Sequence, residues 1–310
     1  MNPFDQFHIF FFFTATIENI LVEQCKIIPM IANYIQKPNS FEPTTPCYLC
    51  IIITQLCRND AYKQRLVSEG CIAALKVFIQ SNIRSTILCV CGCSALDSLS
   101  KKPQHSAPPK KAHTANNNSG VGFIFSLLKG NKYDQEAYAS IFNSLAFIVS
   151  MDSEKAYSIV QATDLHILSK ITSKFIDNYR ITTEFVTLMY SSIKYLNDQD
   201  SLKLVEGNVE PLSNLLIQIT KRVTKSADAI TKIAYIFYVF ATNFIQRTNI
   251  YTYNIFYQFY SFLILLFFIE IKPKFDNINT LLSAVQMHTM NENICMYLLS
   301  VVKLFIKSKK

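Results

Sequence analysis

A chain of 310 residues, half of them hydrophobic, 17% charged and only 6 of them glycine, is globular rather than disordered and too long for one small core. Strand-rich sandwiches and phosphate-binding βαβ loops both use more glycine than this, so the composition favours an all-α fold. The net charge of +8 arises within residues 61–132, which carry 10 basic and 2 acidic groups, against 3 and 5 in residues 1–60 and 17 and 15 in residues 133–310.

Taken from the N-terminus, "HIFFFF" has neither a charged leader nor a small-residue cleavage pattern, and reads as the inner face of a capping helix rather than a secretory signal. "ILVEQCKIIPMIANYI" (Ile20–Ile35) then finds an echo in "RLVSEGCIAALKVFI" (Arg65–Ile79) and later in "KLVEGNVEPLSNLLI" (Lys203–Ile217). Leu21 and Leu66 are 45 residues apart, and a weaker copy at Ile159-Val160 lies 45 residues before Leu204. In each full copy an acidic or amide residue follows the apolar pair, then Gly, Cys or Asn, then an apolar run at helical spacing. A helix ends there, a small or left-handed-tolerant residue turns the chain, and the next helix begins.

Interleaved with these are "CIIITQLC" (Cys50–Cys57), "CSALDSLS" (Cys93–Ser100), "ASIFNSLA" (Ala139–Ala146), "TLMYSSIK" (Thr187–Lys194) and "IAYIFYVF" (Ile233–Phe240). Apolar or small residues at relative positions 1, 3, 4 and 7 place one face of each helix in the core. The seventh residues, Leu56, Leu99, Leu145, Ile193 and Val239, follow one another at 43, 46, 48 and 46 residues. A fixed period of this size is the mark of a helical repeat.

The pattern small-x-small-Leu-x-x-Leu-small, then a short connection, then Leu-Val-x-x-Gly-x-Ile and an amphipathic helix, resembles the armadillo repeat, with HEAT repeats as the near neighbour. "CSALDSLSKKP" and "RNDAYKQRLVSEGCIAALKVFI" carry the likeness best, and it covers roughly residues 13–243. The resemblance implies a right-handed α-solenoid of about five to six repeats, three helices each, whose third helices line a concave groove. It implies a non-enzymatic scaffold or adaptor that binds an extended peptide there, without cofactors, in the cytoplasm or nucleus. In armadillo proteins of the nuclear-import kind an Asn in each third helix holds the peptide backbone. In this chain that position falls at Gln55, Ser98, Ser144, Ser192 and Tyr238, and there is no tryptophan for the accompanying lysine pocket. Serine is too short to reach a peptide backbone as asparagine does, so import cargo is not the expected ligand.

Arg84, Lys132, Arg180 and Lys225 stand near the starts of successive third helices, 48, 48 and 45 residues apart. As a basic stripe they would suit an acidic or phosphorylated protein partner; as solvated turn residues they would carry no function. Nucleic acid would use the same stripe, but no reader motif accompanies it.

Three features interrupt the repeats. "KKPQHSAPPKKAHTANNNSG" (Lys101–Gly120), with three prolines, three consecutive asparagines and no acidic residue, is expected to be an insertion of about twenty residues that cannot hold a helix. Its pairs Lys101-Lys102 and Lys110-Lys111 resemble a divided nuclear-import signal, but a solvated loop is the favoured reading, since short basic clusters are common by chance. Residues 248–271 form a hydrophobic segment whose stretch 248–269 lacks charge; a buried helix is expected, with a membrane tether as the alternative. Its Phe, Tyr, Ile and Asn bias is also what translated AT-rich noncoding DNA would give. Residues 272–310 are expected to be C-terminal capping helices that follow a repeat region spanning 1–247.

The nine cysteines, several on apolar helix positions, are expected to be reduced and packed. Cys47-x-x-Cys50 and Cys89-x-Cys91-x-Cys93 invite a metal reading, but the second ligand pair of a tetrahedral zinc site is missing. The five histidines are scattered, and no nucleophile elbow, phosphate loop, zinc-protease or dinucleotide motif occurs. Nothing in the sequence points to an enzyme.

Overall fold

A computed structural model describes residues 18–36, 44–101, 119–130, 132–196, 200, 211–223 and 226–245. Among these residues every regular element is helical, in agreement with the all-α expectation. A π-helical turn, Ile20–Gln24, leads into α1 (Ile27–Gln36), α2 (Thr44–Leu56), α3 (Asp60–Ser68), α4 (Cys71–Ser81), α5 (Thr86–Ser100) and α6 (Gly120–Gly130). There follow α7 (Gln135–Met151), a 3-10 turn at Ser153–Lys155, α8 (Ala156–Val160), α9 (Ala162–Lys174), α10 (Tyr179–Lys194), α11 (211–220) and α12 (Ala227–Ile245). The interior of the basic insertion, the segment 248–271 and the expected caps at 272–310 lie outside the described residues.

Polar side chains set where the helices begin. Asn59, Ser85, Asp134, Asn178 and Ser226 each accept a backbone N–H two or three residues on, opening α3, α5, α7, α10 and α12. Such caps satisfy donors that a helix cannot pair internally, each contributing about 1 kcal/mol. The turn expected in "LVSEG" is present: Gly70 has φ 80 and separates α3 from α4. In the earlier copy the left-handed residue is Lys26, with φ 50, while Cys25 stays right-handed at φ −85. The bend there falls one residue later than the pattern indicates. The corresponding Asn208 lies outside the described residues.

The chain divides into two compact units, one ending at Leu127 and the other beginning at Leu128, within α6. In the first, α2 packs along α5, and α4 packs against both α5 and α1. Ile53, Leu56, Leu75, Phe78 and Leu96 are fully enclosed there. Gly92 allows the close approach of α5 to α4, since a Cβ at that position would stand 2.7 Å from Ile79 Cγ1. The start of α6 rests on α5 even more tightly. A Cβ on Gly120 would meet Cys93 Cβ at 2.6 Å, and the Gly120 N–H donates to the buried Asp97 carboxylate at 2.7 Å. Just before the insertion, Lys63 donates its ammonium to the Lys101 carbonyl.

In the second unit α10 lies between α7 and α12 and packs on both. Phe142 and Phe185 meet with ring centroids 6.1 Å apart, and Val186, Met189, Ile233 and Phe237 complete the enclosed core. The core face read from the pattern is correct at Leu56, Leu99, Leu145 and Ile193, which are all buried, whereas Val239 is half-buried.

Candidate functional site

The expected groove residues do not share one environment. Gln55 and Ser98 are half-buried, and the Ser98 hydroxyl donates back to the Ser94 carbonyl at 3.0 Å. Ser144 and Ser192 are 0% exposed, so neither offers its hydroxyl to an outside ligand. The Ser144 hydroxyl donates to the Ser140 carbonyl at 2.7 Å, and Ser192 Oγ is buried without a hydrogen-bond partner. The side chain of Tyr238 is outside the described set. Placing Ser144 and Ser192 on a groove is therefore corrected: they are small core residues at the seams of α7, α10 and α12.

The physical reason is a difference of register. Aligning Leu145 with Ile193 offsets α7 from α10 by 48 residues. The contacts between these helices run at smaller offsets: Asn178 donates to Gln135, 43 residues earlier, and Arg180 pairs with Glu136, 44 residues earlier. The difference is four to five residues, one full turn plus about 40 to 140° of rotation, and it is this extra rotation that moves the alignment to another face.

With the contacts as guide, a solvent face runs across three helices of the second unit. Glu136, Asn143 and Phe147 on α7 are exposed or half-buried, as are Arg180, Glu184, Thr187 and Tyr190 on α10 and Asp228, Lys232 and Tyr235 on α12. Lys232 Nζ donates to Thr187 Oγ1 at 3.1 Å and to Asp228 Oδ2 at 2.6 Å. Tyr190 and Tyr235 meet edge to face at 5.1 Å, and Lys194 stands over the Tyr190 ring at 5.8 Å. Burial pushes the Glu184 carboxyl above its ordinary range, and Arg180 and Lys232 act against that rise. Apart from Arg180, sequence reasoning passed over this set. The visible signal was the spacing of 45 residues that relates Thr187 to Lys232 and Tyr190 to Tyr235.

The basic residues singled out by spacing also separate. Arg180 is ion-paired with Glu136, Lys132 and Arg84 are exposed, and Lys225 lies outside the described residues. Around Arg180 the face is of mixed sign, with Glu136 and Glu184 beside the guanidinium.

Elsewhere in the second unit Asp164 is buried, with Lys129 Nζ 3.3 Å from its Oδ1 but off the angle of a hydrogen bond. Burial pushes the Asp164 carboxyl up, and Lys129 opposes the rise. In the first unit Cys47 on α2 is buried and Cys91 on α5 half-buried, and the Cys91 thiol holds Cys47 below its ordinary range against the opposing effect of burial. Among the described residues no three His, Cys, Asp or Glu side chains converge as metal ligands, and no helix is long and apolar enough to cross a membrane. Comparisons with protein-family models, curated proteins and solved structures find no match to this chain.

Proposed function

We propose that the protein is a non-enzymatic scaffold of armadillo type that binds a protein segment across its third helices, with the α7, α10 and α12 face as the contact surface. What carries the reading is the recurrence of contacts at one spacing. Polar partners on packed helices are 42 residues apart for Glu23 and Arg65, 43 for Gln135 and Asn178, 44 for Glu136 and Arg180 and 45 for Thr187 and Lys232. These match the period of the sequence motifs, as stacked repeats of a solenoid require.

The surface has the composition of a binding face. Tyr190 and Tyr235 present large aromatic area at low conformational cost, and Asn143, Thr187 and Lys232 offer polar contacts around them. An acidic or phosphorylated segment is the partner favoured by Lys132 and Lys232 of the same unit. The Glu136 and Glu184 carboxylates temper that preference, so apolar contact with the tyrosines contributes as much as charge.

Selection of a random peptide library on the intact protein tests this. Enriched peptides are expected to share a motif, to weaken as salt rises, and to lose at least about tenfold in affinity for a Tyr190→Ala, Tyr235→Ala variant that keeps its helical circular dichroism. Peptides that bind the variant as well as the native chain would refute the face. A membrane tether through 248–269 is the competing reading; carbonate extraction that leaves the full chain in the membrane pellet would favour it.

A further inference from the structure

Phe147 on α7, Tyr190 on α10 and Tyr235 on α12 are half-buried and follow one another at 43 and 45 residues, spacings at which these packed helices touch. They make one aromatic row across the second unit. Tyr190 and Tyr235 lean together edge to face with centroids 5.1 Å apart, so the face of one ring and the edge of the other form a corner, and Lys194 stands over Tyr190 at its end. A second row, Asn143, Thr187 and Lys232 at 44 and 45 residues, runs beside the first, about one turn nearer the helix starts. The Thr187 hydroxyl donates to the Thr183 carbonyl and accepts from Lys232, which fixes the ammonium beside the rings. We propose that the two rows bind a proline-rich segment in the polyproline II conformation, its rings on the aromatic row and its carbonyls toward Asn143 and Lys232. This rests on the reading of the face as a binding surface and names the class of segment that the face takes.

The balance of donors and acceptors selects that class. Proline has no N–H, so a proline-rich segment presents apolar rings and carbonyl acceptors and few donors. The second row supplies the matching groups: the two N–H bonds of the Asn143 amide, and the Lys232 N–H that is not directed at Thr187 or Asp228. An ordinary extended segment would also bring an N–H at every residue and would need acceptors in return. The Thr187 oxygen is already taken by Lys232, and the Ser144 and Ser192 hydroxyls are buried.

The pitch agrees. A polyproline II helix has three residues per turn and advances about 9 Å in that turn, while packed helices lie about 8 to 10 Å apart. One triplet of residues therefore carries the segment from one helix to the next, from Phe147 to the corner of Tyr190 and Tyr235. Aromatic-lined surfaces take such segments because proline rings pack on the ring faces and the preformed backbone loses little freedom on binding. With two residues of each triplet on the rings, the third turns toward Lys232 and Lys194, where an acidic side chain fits.

The test measures binding of two synthetic peptides to the intact chain, four repeats of Glu-Pro-Pro and four repeats of Glu-Ala-Ala, which are equal in length and charge. The proline peptide is expected to bind at least about tenfold more tightly, and its proline proton resonances are expected to move upfield, as stacking on aromatic rings requires. Both effects should be lost in a Tyr190→Leu, Tyr235→Leu variant, which keeps apolar bulk without rings, once native circular dichroism is verified. Equal affinity for the two peptides, no binding of the proline peptide, or binding without the upfield shift would overturn the proposal. Library-selected peptides that lose affinity for the Tyr190→Ala, Tyr235→Ala variant but lack proline would overturn the choice of segment and leave the face standing; a library that yields no such peptide would remove the face as well. If the leucine variant does not fold, the affinity ratio and the resonance shifts of the native chain decide alone.

Discussion

Replacing Gly120 by alanine probes the point where the chain re-enters the first unit. The new methyl carbon would stand 2.6 Å from Cys93 Cβ, 2.7 Å from the Cys93 carbonyl oxygen and 2.8 Å from its Cα. Carbon atoms rest about 3.5 to 4.0 Å apart, so the start of α6 must withdraw by about 1 Å. The opposing atoms are helix backbone and Cβ, and no flexible side-chain end can give way. Overpacking of this kind costs about 1 to 3 kcal/mol. Withdrawal also stretches the 2.7 Å bond from the Gly120 N–H to Asp97. A hydrogen bond to a charged group contributes about 1.5 to 3 kcal/mol. The helical preference of alanine returns at most about 1 kcal/mol, and less at a first helical position.

The net expectation for Gly120→Ala is a loss of about 3 kcal/mol, read as a lower urea midpoint by far-ultraviolet circular dichroism. Asp97→Ala supplies the second arm of a double-mutant cycle. Because both changes break the same bond, Asp97→Ala should cost at least about 1 kcal/mol less in the Gly120→Ala background than in the native chain. A Gly120→Ala protein as stable as the native one, or an Asp97→Ala cost equal in both backgrounds, would refute the reasoning.

Two further outcomes follow from buried polar groups. Ser192→Ala removes a fully buried hydroxyl that has no hydrogen-bond partner, so it should leave the thermal midpoint unchanged or raise it by an amount equivalent to about 1 kcal/mol; a clear drop would show that the hydroxyl is satisfied in solution. Burial raises the native Asp164 pKa despite Lys129, so the native state holds a proton that the unfolded chain releases. Its stability contribution is present below the ordinary aspartate value of about 3.9 and is lost as pH rises through the higher native value. Asp164→Asn should therefore remove that part of the stability loss as pH rises above about 4, and an unaltered pH profile would exclude the effect.

The helices, and the residues that anchor them in the core, were legible because burial repeats with the helical turn: Leu56, Leu99, Leu145 and Ile193 announce themselves by periodicity. The caps were not read, although Asn59, Ser85, Asp134, Asn178 and Ser226 are residue types suited to the task. The register between neighbouring helices was not legible, since sliding α7 past α10 by one turn exchanges one acceptable set of small and apolar residues for another. Serine is the ambiguous case, fitting a tight helix seam and a polar groove equally, and only the Asn178–Gln135 and Arg180–Glu136 contacts distinguish the two.

The polar links spaced 42 to 45 residues apart run in one direction, with the donor in the later segment: Arg65 to Glu23, Asn178 to Gln135, Arg180 to Glu136, Arg222 to Asp177 and Lys232 to Thr187. Links at shorter spacing, Lys63 to the Lys101 carbonyl and Lys129 to Asp164, run the other way. Each exposed link contributes little to stability, about 0 to 1 kcal/mol. The common orientation of the five does something that strength alone would not. At the three ion-paired rows, Glu23–Arg65, Glu136–Arg180 and Asp177–Arg222, a helix added in the reverse sense would bring acid to acid or base to base, a penalty that apolar packing cannot impose because leucine fits leucine in either order. The seams thus behave like keyed joints, setting the order in which similar helices stack.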